Sequence, residues 1–549
     1  MQPRRTLCAA IVLTGSLGAA HAQTAVTCSV EALNALATPR LTVTAAAPIA
    51  ASGTIPAHCD IRGSLDTGGN TAGVRYQLPE TWNRKLLVYG VGGTGGSVEV
   101  NSANPTDRAI ALARGYATAV TDTGHQEKTG ANASFALRPD GTPNQPAIDD
   151  YLHRAAHLLT VAGKHFVPAA HAAKSVDRTY FDGCSNGGRM ALVGAERYPS
   201  DYDGIIAGAP VTSLLQIPAL LHGARSLLPA EARVSAAQLD LVTKAYQDRC
   251  DAADGVRDGL VQNPARCDFK PSELLCKPGQ TSDCLTQKQV DGLTDYARPL
   301  TDRQGNVLSR GLPINNIGPA GSDFERYALG PAAPAEPDGA MPWPDLGTAA
   351  RGWLFGDSFL KYVLFRDPTY DSRRFRISAR GVIDDPALPR WRALVRTGDP
   401  SDAAMMDGFI RSGRKMIIYH GYGDHALSPM QTIDFHGRLA ARHGGADRLG
   451  RNVRLFMVPG MQHCGSGPGL SAFNTIDALD AWVTRGEAPA TIAAAEPNDR
   501  ANPAAGTKRS LPLCPFPAQA RYAGTGDVTA AANWTCPGGA APGGTVAVR

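Results

Sequence analysis

The stretch Tyr180-Phe181-Asp182-Gly183-Cys184-Ser185-Asn186-Gly187-Gly188-Arg189 decides the fold of this chain. Residues 183–187 read G-x-S-x-G, after a strand-like run and before a helix-like run. This context is typical of a nucleophile elbow, a sharp turn that lifts the serine hydroxyl clear of the backbone. The flanking glycines suit a strained turn without room for side chains. The motif predicts that Ser185 is a nucleophile and that the amide of Asn186, at a helix start, stabilises an oxyanion.

Length and composition describe an ordinary globular protein. The 549 residues can bury a large core and more than one compact unit. The chain is 43% hydrophobic and 19% charged, and its formal net charge is +4. It lacks the basic excess expected of a nucleic-acid binder, so we expect no nucleic-acid partner.

Residues 1–22 have the pattern of a secretory signal peptide. Arg4 and Arg5 precede an apolar run at 7–20, and Ala20-His21-Ala22 forms an A-x-A cleavage site. The apolar run is too short to span a bilayer, which disfavours a membrane anchor. No later segment is long and apolar enough to cross a membrane. We therefore expect an exported protein, periplasmic or extracellular, without a membrane partner.

The cysteines agree with an oxidising compartment. Ten cysteines follow the predicted signal peptide, and an even number in an exported chain predicts five disulfides. Sequence alone does not fix their connectivity, but closeness along the chain favours Cys28–Cys59, Cys250–Cys267, Cys276–Cys284 and Cys514–Cys536. Cys184 and Cys464 remain.

Strand-like and helix-like stretches alternate along the first part of the chain, which predicts a parallel α/β sheet with right-handed crossovers. The alternation breaks between about 211 and 402, where a segment rich in Pro, Gly and aromatic residues reads as an insertion over one end of the sheet. It then resumes. The predicted strands are 73–78, 85–89, 117–121, 178–181, 205–210, 415–419 and 453–458, and the predicted helices are 151–167, 189–198 and 472–485.

Ser185, Asp424 and His463 each follow a predicted strand and occur in the order typical of α/β-hydrolases. In that chemistry the histidine takes the serine proton and returns it to the leaving alcohol, while the aspartate fixes the imidazole tautomer. A single His or Asp is more often structural, but three in this order indicate a serine hydrolase. Cys184 and Cys464 adjoin Ser185 and His463, so a bridge between them would hold two distant loops together. The alternative, a Cys184 thiol nucleophile, leaves Cys464 unpaired.

A glycine-rich loop, residues 90–96, follows the predicted strand at 85–89. In an esterase such a loop brings a backbone N–H to the oxyanion, and Gly92 and Gly93 are the expected donors. The loop could instead bind a nucleotide phosphate, but this interpretation is weaker because no acidic residue that could bind the ribose follows it. A flexible turn is the plain alternative.

A second candidate site is the loop Asp251–Leu260, in which three carboxylates alternate with glycines between Cys250 and Cys267. Hard oxygen ligands on a tight curve suit Ca²⁺, although the spacing is not that of an EF-hand. The loop contains no Cys or His ligand for zinc. A solvated acidic turn is the alternative.

Four stretches together resemble the tannase and feruloyl esterase family: 183–188, the Asp424 loop, Gly460-Met461-Gln462-His463-Cys464 and the Asp251–Leu260 loop. The resemblance covers nearly the whole mature chain. It implies an α/β-hydrolase fold with a large inserted lid domain. The implied division is a signal peptide at 1–22, a first catalytic part at 23–210, a lid with the calcium loop at 211–405 and a second catalytic part at 406–549.

The resemblance also implies how the sites are built. It implies the disulfide Cys184–Cys464 beside the four pairs above, and no organic cofactor. It places oxyanion amides at Asn186 and in the Gly92–Gly93 region. It implies a structural Ca²⁺ in the lid, with ligands from the side chains of Asp251, Asp254 and Asp258 and the carbonyls of Val256 and Leu260.

The family's substrates are small esters of aromatic acids: ferulates, gallates and, rarely, terephthalate monoesters. The expected activity is therefore a secreted, feruloyl-esterase-like serine esterase, with a galloyl esterase or a terephthalate-monoester hydrolase as alternatives. Trp353 and Phe355 are lid aromatics that can stack on an acyl ring or fill the lid's own core. A catalytically silent binding module is the non-enzyme alternative, although no triad member is missing.

Overall fold

The computed structural model describes residues 26–100, 102–318, 321–378, 380–499 and 505–538. The predicted signal peptide at 1–22 lies outside the described residues. The first part of the chain contains the elements α1 (Val30–Leu36), β1 (Leu41–Ile49), β2 (His58–Asp66), β3 (Thr71–Pro79), β4 (Lys85–Tyr89), α2 (Pro105–Ile110), β5 (Ala117–Thr121), α3 (Gln145–Asp149), α4 (Ala155–Ala170), β6 (Arg178–Cys184), α5 (Asn186–Arg197) and β7 (Gly204–Gly208).

The remaining elements fall into an insertion and a second part. The insertion contains α6 (Ile217–Ser226), α7 (Ala236–Cys250), α8 (Gln287–Tyr296), β8 (Leu300–Thr301), β9 (Val307–Ser309), α9 (Arg351–Ser358) and α10 (Leu388–Val395), and α11 (Asp407–Arg411) follows it. The second part contains β10 (Lys415–Gly421), α12 (Pro429–Arg442), α13 (Ala446–Leu449), β11 (Val453–Val458), β12 (Ala472–Phe473), α14 (Thr475–Arg485), β13 (Ile492–Pro497), β14 (Thr507–Leu513), β15 (Arg521–Tyr522) and β16 (Trp534–Thr535).

The described residues form a nine-stranded central sheet in the order β1-β2-β3-β5-β4-β6-β7-β10-β11. Within this sheet, neighbouring strands pair in parallel along the series β5, β4, β6, β7, β10 and β11. The strands β1, β2 and β3 form an antiparallel extension that joins β5. Every residue of β7 is buried, and β6 and β10 are buried from their second residue onward. Such continuous apolar runs are typical of parallel strands covered on both faces. The predicted α/β-hydrolase fold is confirmed.

The strand order brings the predicted catalytic loops to one edge of the sheet. Parallel strands β4, β6, β7, β10 and β11 all end at this edge, and the loops after β6, β10 and β11 carry the predicted triad. The glycine-rich loop after β4 meets the elbow directly, because a Cβ built at Gly90 would lie 2.6 Å from the Cα of Gly187. Functional sites lie at this edge in open α/β sheets.

The chain between β7 and β10 does not extend the central sheet. Its apolar side chains form two clusters of their own, one around Trp353 and Trp391 and the other around Leu293 and Phe324. The first cluster also includes Tyr151 from the turn before α4. The proposed domain boundaries at 210 and 405 stay a prediction.

All three predicted helices differ from the structure at their N-terminal ends. The helix expected at 189–198 begins three residues earlier, at Asn186, directly after the nucleophile. The helix expected at 151–167 begins with a π-helical turn, Asp150–Arg154, before α4. The helix expected at 472–485 begins only at Thr475, because Ala472 and Phe473 pair with β13 as a short strand. Strand pairing with a distant segment outweighs the local helical periodicity there.

Gly183→Ala tests the close packing of the elbow, because a Cβ at this position would lie 2.6 Å from the backbone of Gly187. We expect the added methyl group to lower the free energy of unfolding by about 1–3 kcal/mol through overpacking. Gly437→Ala, in α12, is the matched control, because a Cβ there meets nothing within 4 Å. The control should leave the thermal midpoint unchanged or raise it. Equal midpoints for the two variants would contradict this packing argument.

Candidate active site

Ser185 sits in a strained turn between β6 and α5. Its backbone angles are φ 63° and ψ −127°, a region that L-residues rarely adopt. Backbone hydrogen bonds hold the turn, since the Ser185 N–H donates to the carbonyl of Gly208 at 2.9 Å and its carbonyl accepts from the N–H of Arg189 at 3.0 Å. Strain of this kind is retained at functional sites because it fixes one side chain in position.

Asp424 and His463 form a direct hydrogen-bonded pair. Nδ1 of His463 donates to Oδ2 of Asp424 at 2.7 Å, and the Asp424 side chain is fully buried. The other carboxylate oxygen accepts the backbone N–H groups of Ala426 and Leu427, each at 2.8 Å. Burial of Asp424 favours its neutral form, but His463 and the neighbouring His420 outweigh burial and hold its pKa below the usual range. The carboxylate therefore stays ionised and leaves Nε2 of His463 free to accept a proton.

The carboxylate of Asp424 has a second histidine partner that sequence patterns do not reveal. Nε2 of His420, at the end of β10, lies 3.1 Å from the same Oδ2 atom that His463 contacts. The hydroxyl of Thr432 lies 2.8 Å from Nδ1 of this imidazole. Because Asp424 is ionised, Nε2 of His420 is the protonated nitrogen, and Nδ1 accepts from the hydroxyl. Both rings thus orient the same carboxylate.

The environment of His463 favours its charged form. Burial alone lowers the pKa of this imidazole, but the charge of Asp424, its hydrogen bond and the charge of Asp323 together raise the pKa above the ordinary value. An imidazole that readily becomes imidazolium suits a residue that must accept a proton.

The disulfide between Cys184 and Cys464 joins the two halves of the candidate site. The Cα atoms of the two cysteines are 5.9 Å apart, although they are separated by 280 residues in the sequence. Ser185 and His463 are their immediate neighbours and line the same two cavities. The predicted set of five disulfides is confirmed: the other four are Cys28–Cys59, Cys250–Cys267, Cys276–Cys284 and Cys514–Cys536. Cys184 is therefore not a free thiol, which excludes the alternative nucleophile.

Asn186 connects the elbow to the glycine-rich loop. Its side-chain amide donates to the carbonyl of Val91 at 3.0 Å, and its Oδ1 accepts from Nε of the buried Arg189 at 2.7 Å. Gly92 and Gly93 follow Val91 and line the larger cavity with Ser185, and Gly93 also lines the smaller one. The loop that was predicted to supply the oxyanion amide therefore lies beside the nucleophile.

Tyr151 holds the peptide of Gly93 by a hydrogen bond, and Arg189 in turn holds Tyr151. The Tyr151 hydroxyl donates to the Gly93 carbonyl at 3.2 Å. The guanidinium of Arg189 stacks over the Tyr151 ring at 4.9 Å and donates to the Tyr151 carbonyl at 2.8 Å. A side chain at Gly93 is not tolerated here, because its φ is +59° and a Cβ would lie 1.9 Å from the Gly130 carbonyl. This support was not visible in the sequence, since its members lie far apart along the chain.

Two cavities meet at Ser185 and His463, and they differ in character. The larger has a volume of about 1170 Å³ and is lined by charged and polar groups that include Glu127, Arg326 and Arg351. The smaller, of about 50 Å³, is lined mostly by apolar side chains: Val211, Leu214, Ile217, Leu220, Phe355, Phe359, Ala426 and Leu427. The site therefore has a narrow apolar side and a wide polar side.

The two aromatic residues proposed as substrate contacts have different positions. Phe355 lines both cavities beside Ser185. Trp353 is buried in the cluster with Trp343 and lines neither cavity, so its assignment to substrate binding is corrected to a core residue. The two residues are separated by two positions in α9 and face different surroundings. His125 lines neither cavity and stacks on Phe135, with ring centroids 3.9 Å apart.

The acidic loop after α7 is buried more deeply than a solvated turn. Asp251, Asp254 and Asp258 each use one carboxylate oxygen to accept a backbone N–H of the loop, between 2.9 and 3.1 Å. The second oxygens of Asp251 and Asp254 are buried without a hydrogen-bond partner among the described residues, while that of Asp258 lies 2.9 Å from Arg509. Burial and the charges of the other two aspartates raise the pKa of Asp254 to about 7.

The loop is not a preformed metal cage. Within the part of the chain that the structure describes, no group of three or more Asp, Glu, His or Cys side chains has a geometry that could hold a metal ion. Val256 and Leu260 lie in the same loop, and Leu260 packs against the turn before His463, since a Cβ at Gly460 would lie 2.6 Å from its Cδ1. The loop therefore supports the segment that carries the histidine.

Comparisons with known proteins identify the family of the chain. The family model described as "Tannase and feruloyl esterase" matches residues 59–537. The chain is 32% identical to a mono(2-hydroxyethyl) terephthalate hydrolase from Piscinibacter sakaiensis, over 89% of this chain and 87% of that protein. It is 29% identical to a probable feruloyl esterase from Arthroderma benhamiae, over 84% of this chain and 81% of that protein.

A solved structure has the same fold. The crystal structure of feruloyl esterase B from Aspergillus oryzae superposes with a TM-score of 0.74 at 22% identity, covering 91% of this chain and 97% of that chain. At this identity the structural likeness supports only the fold. The family match and the sequence relatives support the activity.

Proposed function

Because the chain belongs to the tannase and feruloyl esterase family and is a carboxylic ester hydrolase, we propose that it is a secreted serine esterase that cleaves esters of aromatic acids. The observation that carries the proposal is the pairing of His463 with the buried, ionised Asp424, in a cavity that Ser185 shares. A hydrogen-bonded base beside a serine in an elbow is the arrangement that acyl transfer requires. A silent binding module would not need it.

The proposed reaction proceeds through an acyl-enzyme. Oγ of Ser185 attacks the ester carbonyl while Nε2 of His463 takes its proton, and Asp424 stabilises the resulting imidazolium. The negative oxygen of the tetrahedral intermediate accepts the amide of Asn186 and an amide of Gly92 or Gly93. The imidazolium then protonates the leaving alcohol. Water, activated by the same imidazole, hydrolyses the acyl-enzyme and releases the acid.

The smaller cavity supports an aromatic acyl group. Phe355 and Phe359 line this cavity together with Ser185, and six aliphatic side chains complete the apolar part of its lining. Aromatic rings prefer such surroundings because they bury apolar area and stack in offset or edge-on geometry. The alcohol then leaves through the wider, polar cavity, which also admits the water for deacylation.

One observation favours a second candidate, the hydrolysis of monoesters of aromatic diacids. Arg351 lines the larger cavity, stacks over Phe355 at 5.3 Å, and donates from both terminal nitrogens to the Thr129 carbonyl at 3.3 Å. Its Nε is buried without a hydrogen-bond partner in the described chain. Each terminal nitrogen carries a second N–H, and these remaining donors suit a substrate carboxylate in the cavity. A terephthalate monoester carries such a group, as the name of the first relative above indicates.

Hydrolysis of methyl ferulate, methyl gallate and mono(2-hydroxyethyl) terephthalate by the purified protein tests both candidates. Ser185→Ala should lower the rate on the preferred ester on the order of 10⁴-fold or more, because the nucleophile is lost. If the diacid monoester is preferred, Arg351→Gln should raise KM for it about 10-fold or more and leave methyl ferulate unaffected. Arg366→Gln is the matched control, because Arg366 lines neither cavity. Full activity of Ser185→Ala would contradict the proposed function.

We also propose that the acidic loop binds a structural Ca²⁺. The orphaned, buried oxygens of Asp251 and Asp254 and the mutual repulsion of three carboxylates support a cation there. The carbonyls of Val256 and Leu260 and the carboxylate of Asp258 complete the proposed ligand set. Asp258 would have to leave its ion pair with Arg509, and the three carboxylates would have to move together as the ion binds. The ion would neutralise the loop and stiffen the segment that packs against Gly460; it has no part in the chemical steps.

Calorimetric titration of the calcium-free protein with CaCl₂ tests this site. We expect one bound ion per chain and a higher melting midpoint with calcium, because a ligand present at 100 times its Kd stabilises by about 2.7 kcal/mol. Asp254→Asn should lose both effects. Asp268→Asn, an exposed carboxylate paired with Arg249 close to the same disulfide, should lose neither. Undiminished binding in Asp254→Asn would overturn the assignment.

Export is the third part of the proposal. The five disulfides support an oxidising compartment, and the signal-peptide pattern at 1–22 supports passage there. No helix among the described residues is long and apolar enough to cross a membrane.

A further inference from the structure

Asp323 belongs to the insertion but contacts the loop that carries His463. Its Oδ2 accepts the backbone N–H of His463 at 2.8 Å and the hydroxyl of Ser466 at 2.6 Å. In return, the backbone N–H of Asp323 donates to the side-chain oxygen of Gln462 at 3.1 Å. The Gln462 amide group then donates to the carbonyl of Asn316 at 2.9 Å. The insertion therefore contacts this loop at three residues, Gln462, His463 and Ser466.

The carboxylate of Asp323 is buried, and the residue is 5% exposed. The donors to its Oδ2 are an N–H and an O–H group, not a Lys or Arg side chain. Its negative charge also acts on the His463 imidazole and raises the pKa of that ring. A buried charge is costly, so its retention beside the base calls for a use beyond packing.

We propose that Asp323 is a positioning residue for the proposed reaction: it fixes the backbone of His463 and supplies a second negative charge that stabilises the imidazolium formed during catalysis. Asp424 holds the imidazole and Asp323 holds the main chain of the same residue, so two carboxylates from different parts of the chain fix the base. The insertion thereby completes the catalytic machinery and does not only cover it. The inference rests on the proposed function of Ser185 and His463.

The other groups around His463 determine the sign of the expected pH effect. Asp424 contacts the imidazole from the loop after β10, and His420 contacts the same carboxylate. His425 is buried nearby and feels the charges of both Asp323 and Asp424. Arg326 opposes the imidazolium from the insertion, and the ring of Tyr327 lies edge-on at 5.8 Å. Asp323 and Asp424 are thus the negative charges that favour the imidazolium. Removal of one of them must lower the pH at which His463 loses its proton.

The test is the pH dependence of kcat/KM for Asp323→Asn in the full chain, on the preferred ester. His463 must be neutral to act as base, so activity falls as the pH drops through its pKa. We expect the acid limb to move to lower pH than in the wild type, because the asparagine keeps the shape but not the charge. We also expect kcat to fall roughly 10- to 100-fold with little change in KM, since the base is less well placed.

Two further variants make the outcome decisive. Asp323→Glu keeps the charge, so its acid limb should stay at the wild-type pH even where kcat falls. Asp248→Asn removes an exposed carboxylate of the insertion that pairs with Lys244, away from the site, and should keep both kcat and the limb. The proposal is overturned if Asp323→Asn keeps the wild-type limb, or if Asp323→Glu shifts it equally. Ser185→Ala is measured in parallel: activity in that variant would refute the proposed function itself, whereas its loss with an unmoved Asp323→Asn limb would refute only the role of Asp323.

Discussion

The disulfide between Cys184 and Cys464 is the constraint on which the candidate site depends. It closes a loop of 280 residues, including the whole insertion. In the chain-entropy account, a closure of this length removes on the order of 5 kcal/mol of disorder from the unfolded chain. More important for the site, it fixes the distance between the elbow after β6 and the loop after β11. Ser185 and His463 adjoin the bridged residues, so neither can move far without the other.

The remaining supports act on single groups inside this frame. The strained backbone of Ser185 directs the nucleophile, and glycines at 90, 183 and 187 allow the glycine-rich loop and α5 to approach the turn. Asn186, Tyr151 and Arg189 then connect the elbow to the peptide of Gly93. On the other side, Asp424 orients the imidazole. Preorganised dipoles of this kind need no rearrangement as charge develops, which is why they are effective in acyl transfer.

The sequence predicted those features that depend on short motifs and on strand order. The elbow, the candidate triad residues and the glycine-rich loop each have a local pattern, and the alternation of strands and helices placed their loops at one edge of the sheet. The Cys184–Cys464 bridge, between residues 280 apart, followed only from the resemblance to the family. Contacts from the insertion have no such pattern. Asp323 contacts His463 although the two residues are 140 positions apart in the sequence. Phe355 lines the site and Trp353 is buried in the core of the insertion, although both lie in one short helix. The packing of the insertion decides these positions, and neither periodicity nor composition encodes it.

The most direct test of this account is the labelling of the protein by a fluorophosphonate, followed by peptide mass spectrometry, in the wild type and in a Cys184→Ala/Cys464→Ala double variant. The account predicts a single adduct on Ser185 in the wild type and labelling slowed on the order of 100-fold in the double variant at a temperature where it remains folded, because the base is no longer held beside the nucleophile. An adduct on another serine, or equal labelling rates in the two proteins, would contradict it.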